Sequence, residues 1–187
     1  MKKRFDIDIT RKIKKTAIIG HSGSGKSTLA VFLGKCLSLP VLHIDRIHFK
    51  SEWQERELDE ELPLMRSFLD ANDDGWVIDG NYTKLEFDRR MLEADLIVYM
   101  NFNRFSCFVR AYRRSIEYRD RTRPSIADGC NEKFDGDFKR WILIEGRKRK
   151  RLERYSEIRK KHERKFVEIR NQKQLDAFMK MFEMREY

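Results

Sequence analysis

The 187-residue sequence predicts an α/β fold in which an open parallel sheet is covered by helices on both faces. Three observations predict it. Short apolar runs alternate with longer segments whose apolar residues recur every three or four positions. The first apolar run breaks at a glycine-rich turn, as a buried parallel strand feeding a loop does. No internal repeat or low-complexity linker divides the chain, so we expect one domain.

Strand and helix patterns alternate through the first half of the chain. Residues 16–20 are expected to form the first and central strand, and an apolar stripe at helical spacing follows the glycine-rich turn. Residues 41–44 are the second strand candidate, and a helix face spans residues 58–69. Pro63 is compatible with that helix only in its first turn. Residues 76–78 predict the third strand.

The second half continues the alternation. A short helix is expected before the fourth strand, which spans residues 96–100. We then expect a helix, a loop, a long basic helix, a fifth strand and a final helix, at residues 104–118, 119–124, 137–162, 166–169 and 173–183. Ligands of such sheets bind beyond the carboxyl ends of the strands.

Positive charge is concentrated in two segments. The net charge is +10, and residues 139–165 contain thirteen Lys or Arg against four Asp or Glu. Residues 1–15 add seven basic and two acidic residues, which leaves the remainder net acidic. Nucleic acid is therefore a candidate partner of residues 139–165. A solvated helix face explains the same charge equally well.

The sequence predicts a cytoplasmic protein without membrane contact. It contains no run of about 18 apolar residues, and the charged N-terminus contains no apolar run that ends at a cleavage site. Three cysteines, odd in number and never in a paired spacing, indicate neither a disulfide framework nor a zinc site.

A phosphate-binding motif follows the first strand. Residues 20–28 read Gly20-His21-Ser22-Gly23-Ser24-Gly25-Lys26-Ser27-Thr28 and match G-x-x-x-x-G-K-[ST] in full. The motif requires a strand before it and a helix after it, and both are predicted here. All nine residues are therefore candidate ligands of a nucleoside triphosphate.

Each residue type in the motif has a physical role. The glycines allow close approach of the backbone, so that successive N–H groups surround the phosphates. Lys26 supplies a mobile charge to the β and γ phosphates and so takes part in catalysis, while Ser27 offers a hydroxyl ligand to magnesium. Thr28 supports the phosphates. ATP and Mg²⁺ are the expected cofactors.

Two carboxylates are expected beside this loop. Asp79 ends the third strand and is the candidate magnesium partner. Asp45 follows the second strand, either as a second magnesium partner or as the base for a substrate hydroxyl. Alternatively, Asp45 caps the next helix and Asp79 stabilises a turn. Asp95 precedes the fourth strand, so we expect it to start that strand and not to belong to the site.

Arginines crowd around the predicted helix-to-loop break near residue 118. We expect a mobile lid over about residues 113–136 that closes on the nucleotide and neutralises charge on a transferring phosphoryl group. The candidate catalytic arginines are Arg114, Arg119, Arg121 and Arg123, with Arg113 beside them. For each of them, an ordinary surface arginine is the alternative.

With these motifs in this order, the chain resembles adenylate-kinase-like P-loop kinases and, more closely, the bacterial family called DNA topology modulation proteins. The resemblance runs from about residue 16 to the C-terminus. It is carried by GHSGSGKSTLA from Gly20, LPVLHID ending at Asp45, Trp53, WVIDGNY over residues 76–82 and RTRPSIADGC from Arg121.

The resemblance implies a three-layer P-loop NTPase fold with a five-stranded parallel sheet in the order 2-3-1-4-5. Residues 1–15 would be a basic extension and residues 16–187 the nucleotide-binding domain. Asp79 matches the aspartate of the D-G-F-P-R segment of adenylate kinases, but Tyr82 and Thr83 replace its proline and arginine. Charge for an acceptor phosphate would then have to come from Arg90 or Arg104.

Two functions are compatible with these features. The first is a kinase that transfers the γ-phosphoryl group of MgATP to a small nucleoside-like, nucleotide-like or other hydroxyl or phosphate acceptor near Asp45, Asp79 and Trp53. The alternative is an ATP-gated nucleic-acid-binding or regulatory protein with slow NTPase activity. Residues 139–165 contain only Trp141 and Tyr155 as stacking aromatics, which weakens the alternative.

Overall fold

The computed structural model describes residues 12–119 and 121–184. Five parallel strands form one sheet in the order β2-β3-β1-β4-β5. In chain order they are β1 (Lys15–Gly20), β2 (Val41–His43), β3 (Trp76–Asp79), β4 (Leu96–Met100) and β5 (Phe166–Ile169). The structure therefore confirms both the parallel sheet and its predicted order.

Helices connect the strands and cover both faces of the sheet. They are α1 (Lys26–Leu37), α2 (Ile44–His48), α3 (Leu58–Ala71), α4 (Phe87–Glu93), α5 (Arg104–Glu117), α6 (Gly136–Leu143), α7 (Arg149–Lys161) and α8 (Gln172–Glu183). Short 3₁₀ turns lie at Ser51–Trp53, Glu145–Arg147 and Glu163–Lys165. The predicted helices before and after β4 and the predicted final helix are confirmed.

The alternation of side chains along β1 divides the core into two layers. Ile18 packs with buried residues of α1, α5, α6 and α8 on one face. Ala17 and Ile19 pack with buried residues of α2, α3, α4 and α7 on the other. All three are fully buried, as expected for a central strand covered on both sides. The result is the three-layer architecture predicted from the sequence.

The folded domain begins slightly before the predicted boundary at residue 16. Lys15 already belongs to β1, and Ile13 is buried in the core. The backbone N–H groups of Lys14 and Lys15 both donate to Oδ2 of Asp95, at 2.9 Å each. Asp95 thus ties the start of β1 to the start of β4, in agreement with its predicted place at the start of that strand. Most of the predicted basic extension, residues 1–11, lies outside the described residues.

Two predictions about the segment after β2 are wrong. The second strand ends at His43, because Ile44 already begins α2. Pro63 lies at the sixth position of α3, in its second turn and not its first. Pro63 removes one backbone donor from the helix. The helix nevertheless continues, because Met65 and Leu69 are completely buried against the sheet.

The prediction of one long basic helix over residues 137–162 is also wrong. This part of the chain forms α6, a 3₁₀ turn and α7. The chain turns tightly at Gly146, where a Cβ would lie 2.9 Å from the carbonyl oxygen of Trp141. Arg147 fixes this turn by donating to the carbonyl oxygens of Ile142 at 3.3 Å and Phe102 at 2.7 Å. The basic residues are therefore divided between two helices, and their interaction with nucleic acid stays a prediction.

Across residues 12–119 and 121–184, no helix combines the length and the apolar character needed to cross a bilayer.

Replacing Gly20 by Ala should destabilise the fold strongly. Gly20 has φ of 138°, and its Cβ would lie 2.5 Å from the carbonyl oxygen of Met100. We expect the free energy of unfolding, measured by urea denaturation, to fall by about 2 kcal/mol or more. Gly136→Ala is the control, since a Cβ there meets nothing within 4 Å, and it should stabilise by about 0.4–1 kcal/mol. Equal effects of the two substitutions would contradict the close packing of β1 on β4.

Candidate functional site

The glycine-rich loop joins the carboxyl end of β1 to the start of α1, as the motif requires. Gly20, Gly23 and Gly25 have φ of 138°, 77° and 97°, values that favour glycine. Gly25 is the N-cap of α1 and provides no side-chain cap. The first N–H groups of α1 therefore lack intrahelical acceptors and can bind an anion in the loop. The strand–loop–helix context predicted for residues 20–28 is present.

Lys26 lies within this loop and is surrounded by the predicted site residues. Its Nζ donates to the carbonyl oxygen of His21 at 3.1 Å. Burial lowers the pKa of Lys26, while the charges of Asp79 and Asp45 oppose that shift and the charge of Arg114 adds to it. These four side chains therefore share one electrostatic environment.

Asp79 connects the loop to the neighbouring strand. The hydroxyl of Ser27 donates to Oδ2 of Asp79 at 2.8 Å. Because a carboxylate can only accept, the imidazole of His43 donates through Nδ1 to Oδ1 of Asp79 at 2.5 Å. A hydroxyl and a carboxylate oxygen are ligands suited to Mg²⁺, which binds few protein groups and keeps its remaining positions for water and phosphate. The predicted metal pair is thus brought together, and His43 is a partner that the sequence did not predict.

Asp45 contacts Tyr82 and Arg123 and does not act as a helix cap. It lies in the first turn of α2, whose N-cap is His43. Its Oδ1 accepts a hydrogen bond from the hydroxyl of Tyr82 at 2.8 Å, and its Oδ2 lies 3.4 Å from Nη2 of Arg123. Burial and the charge of Asp45 raise the pKa of Tyr82, which remains a phenol donor. Asp45 is partly exposed, with 36% of its side chain accessible.

The structure brings two of the four candidate catalytic arginines together. The carboxylate of Glu132 pairs with Nε of Arg114 at 3.1 Å and with Nε of Arg123 at 2.7 Å. Arg119 and Arg121 are exposed, and within the described part of the chain neither forms an ion pair. The guanidinium of Arg121 instead lies 5.0 Å from the ring centroid of Tyr118. Glu132 was not predicted from the sequence.

Asn81 holds the end of β1 in place. Its Oδ1 accepts from the N–H of Gly20 at 2.9 Å, and its Nδ2 donates to the carbonyl oxygen of Gly20 at 2.6 Å. One side-chain amide therefore satisfies both backbone groups of the residue at which the loop begins. Its position two residues after Asp79 at the end of a strand was the only sequence signal.

His21 is buried beneath the loop in neutral form. Its Nε2 lies 3.2 Å from Oδ1 of Asn101 and 3.3 Å from the hydroxyl of Tyr99. Burial, with smaller contributions from Arg147 and Lys26, lowers the pKa of His21 to about 4. His21 therefore supports the loop from the β4 side without adding charge to it.

Arg90 cannot supply charge to an acceptor phosphate, contrary to one expectation from the sequence. It is completely buried, and its guanidinium donates to the carbonyl oxygens of Leu85 at 3.0 Å, Gly80 at 3.2 Å and Tyr82 at 2.7 Å. Burial lowers the pKa of Arg90 to about 9. Its role is to hold the loop between β3 and α4.

A groove of about 410 Å³ lies beside the glycine-rich loop. Arg110 joins the groove to the loop. Its Nη1 donates to the carbonyl oxygen of Ser24 in the loop at 3.0 Å, and its Nη2 donates to Oε1 of Gln172 in the groove wall. Apolar atoms supply much of the wall, and the lining includes Phe102, Phe105, Val109, Arg110, Arg113 and Gln172. Neither the groove nor Arg110 was predicted from the sequence.

Known proteins resemble this chain in structure. No protein-family model and no curated protein sequence matches it. A shikimate kinase from Acinetobacter baumannii in complex with shikimate has 15% identity, 92% coverage of each chain and a TM-score of 0.55. A deoxyadenosine kinase from M. mycoides with bound dATP has 15% identity, 90% coverage of this chain, 99% of that chain and a TM-score of 0.51.

A gluconokinase from Sinorhizobium meliloti 1021 has 14% identity, 92% coverage of this chain, 90% of that chain and a TM-score of 0.50. At these identities the likeness concerns the fold, and the chain has the three-layer α/β fold of these P-loop kinases. Membership in the DNA topology modulation family stays a prediction from the sequence resemblance.

The neutral state of His21 predicts a pH dependence of stability. The folded-state pKa of about 4 lies below the unfolded value of 6.5, so the unfolded chain binds more protons between these values. The contribution of His21 to the free energy of unfolding should therefore fall by about 2 kcal/mol from pH 7 to pH 4.5. We would measure wild type and His21→Gln by urea denaturation at both pH values. A stability difference between them that does not change with pH would exclude a buried neutral His21.

Proposed function

We propose that this chain is a kinase that transfers the γ-phosphoryl group of MgATP to a hydroxyl or phosphate of a small molecule. The observation that carries the proposal is the 2.8 Å hydrogen bond from Ser27 to Asp79, next to Lys26. It joins a phosphate-binding loop to a carboxylate at the carboxyl edge of the sheet, where such folds bind ligands. The shared fold with small-molecule kinases supports the same function.

The triphosphate would lie in the loop of residues 20–28. The open N–H groups at the start of α1 donate to its oxygens, and Lys26 exchanges its hydrogen bond to His21 for one to a phosphate. Ser27 and Asp79 would hold magnesium, which when bound neutralises charge on the phosphates. His43 keeps the Asp79 carboxylate in position by its hydrogen bond to the other oxygen.

The acceptor would lie on the opposite side of the γ-phosphate, near Asp45. The Asp45 carboxylate is partly exposed and can accept the proton of an acceptor hydroxyl during in-line attack. Tyr82 contacts one oxygen of the Asp45 carboxylate, and Arg123 contacts the other. This arrangement leaves Asp45 fixed in orientation but accessible, as a catalytic base must be.

The base of the nucleotide would lie in the groove beside the loop. The groove adjoins the loop through Arg110, and its volume of about 410 Å³ lies within the range of small-ligand sites. A planar base can pack on the apolar side chains of Phe105 and Val109 and against the guanidinium of Arg110.

Nucleotide binding should stabilise the wild-type protein but not Lys26→Ala. At a MgATP concentration of about 100 Kd, binding adds about 2.7 kcal/mol, which raises Tm by about 5–11 °C for a chain of this length. Lys35→Ala is the matched control, because Lys35 is exposed in the last turn of the same helix. Thermal unfolding with MgATP, with MgGTP and without nucleotide measures the shift. No shift of the wild type with either nucleotide would refute the kinase proposal.

Filling the groove should separate recognition of the base from recognition of the phosphates. Val109 is 46% exposed, so Val109→Trp should fold while its indole blocks the groove. We expect the variant to bind MgATP about tenfold more weakly, as measured by titration calorimetry. Magnesium tripolyphosphate, which has no base, should bind wild type and variant equally. An equal loss of affinity for MgATP and for magnesium tripolyphosphate would contradict binding of the base in this groove.

A further inference from the structure

One acidic side chain in the predicted lid region is almost completely buried between two arginines. Glu132 has 2% of its side chain exposed and pairs with Arg114 and Arg123. We propose that Glu132 is a positioning residue that aims these two arginines at the phosphoryl group in transfer. This inference rests on the proposed kinase function and assigns a role within the same site.

Glu132 contacts both arginines on their Nε side, so their Nη groups face away from this carboxylate. Each carboxylate oxygen of Glu132 forms an ion pair with one guanidinium at its Nε, at 3.1 Å for Arg114 and 2.7 Å for Arg123, and neither Nε is in hydrogen-bonding geometry. A guanidinium is a rigid plane, so an ion pair on its Nε side restricts where its Nη groups can lie. Arg123 already directs Nη2 toward Asp45, at 3.4 Å.

Charge balance explains why the acid is needed at this place. Arg114 and Arg123 lie close together because both contact Glu132. Burial, and after it the charge of Arg123, lowers the pKa of Arg114, and Glu132 opposes that shift. Two neighbouring cations that are partly buried repel each other unless a carboxylate compensates part of their charge. One carboxylate between two guanidinium groups leaves a net positive charge, which suits an incoming anionic phosphoryl group.

The two arginines lie on the phosphate side of the site. Arg114 belongs to α5, which packs against the phosphate-binding loop, because a Cβ on Gly23 would lie 3.4 Å from the Cβ of Ala111 in the same helix. Arg123 bridges Asp45 and Glu132. Glu132 thus links an arginine of the helix beside the phosphate-binding loop to an arginine beside Asp45, where charge would move during transfer.

Contacts from residues 50–53 hold the three residues that precede Glu132. The indole Nε1 of Trp53 donates to the carbonyl oxygen of Asn131 at 2.7 Å, and the thiol of Cys130 lies 3.0 Å from the carbonyl oxygen of Lys50. The N–H of Glu52 donates to the carbonyl oxygen of Gly129 at 3.3 Å. The segment that contains Glu132 is thus attached to residues 50–53, so the position of the arginines depends on the acceptor-side loop.

The test compares two ligands that differ only at the position of the transferred group. MgADP requires the phosphate loop, whereas MgADP with aluminium fluoride adds a mimic of the phosphoryl group in transfer. We expect Glu132→Gln to bind MgADP within about twofold of wild type, but the fluoride complex about tenfold or more weakly, because two misdirected arginines no longer reach it. Titration calorimetry measures both affinities.

Two further variants separate positioning from a general structural role. Glu132→Asp keeps the carboxylate, so it should recover part of the lost affinity for the fluoride complex. Glu157→Gln, at an exposed position in α7, should change neither affinity. Thermal unfolding of each variant without ligand shows whether it folds as the wild type does.

The two affinities distinguish a positioning role of Glu132 from a structural one. If Glu132→Gln changes the affinities for MgADP and for the fluoride complex by the same factor, Glu132 has no positioning role and the inference is wrong. If the substitution strengthens binding of the fluoride complex, Glu132 competes with phosphate for the arginines, which also overturns the inference. If wild type binds neither ligand, the proposed kinase function fails and the inference fails with it.

Discussion

The close approach of Gly20 to β4 and to Asn81 is the constraint on which the rest of the site depends. A residue without a side chain lets the end of β1 pass against the carbonyl oxygen of Met100, and Asn81 then binds both backbone groups of Gly20. Since Asn81 follows β3, the ends of β1, β3 and β4 are fixed relative to one another. Ser27 and Asp79 can meet at 2.8 Å only because that relation is fixed.

Around this frame, charged side chains lie beside partners of opposite sign. Glu132 pairs with Arg114 and Arg123, Arg123 also pairs with Asp45, and the charges of Asp79 and Asp45 oppose the fall in the pKa of Lys26 that burial causes. Buried charges persist when each has a partner of opposite sign. The balance also means that an anionic ligand enters a region in which Lys26 has to exchange one partner, the carbonyl oxygen of His21, for another.

The sequence predicted what local patterns determine. Apolar periodicity gave the strands and most helices, the G-x-x-x-x-G-K-[ST] spacing gave the loop, and the resemblance gave the strand order. The sequence-based predictions failed where a tertiary contact overrides the local preference for helix or turn. The break at Gly146 is one case, because the turn is stabilised by Arg147 reaching the carbonyl oxygen of Phe102, which is distant in sequence. Pro63 inside α3 is another, since burial of Met65 and Leu69 keeps the helix intact.

The unpredicted site residues share one property, which also explains how the two halves of the site are connected. His43 and Arg110 act through partners far away in the chain, and Glu132 acts through arginines on the other side of an irregular segment, so no local pattern marks them. Each contacts another residue of the site: His43 contacts the Asp79 carboxylate, Arg110 connects the glycine-rich loop to the groove, and Glu132 pairs with Arg114 and Arg123. Residues 50–53 hold the segment that precedes Glu132, while Arg114 belongs to α5. In the proposed kinase, the distance between donor and acceptor would therefore be determined by packing between these elements, and the sequence pattern of neither element contains that packing.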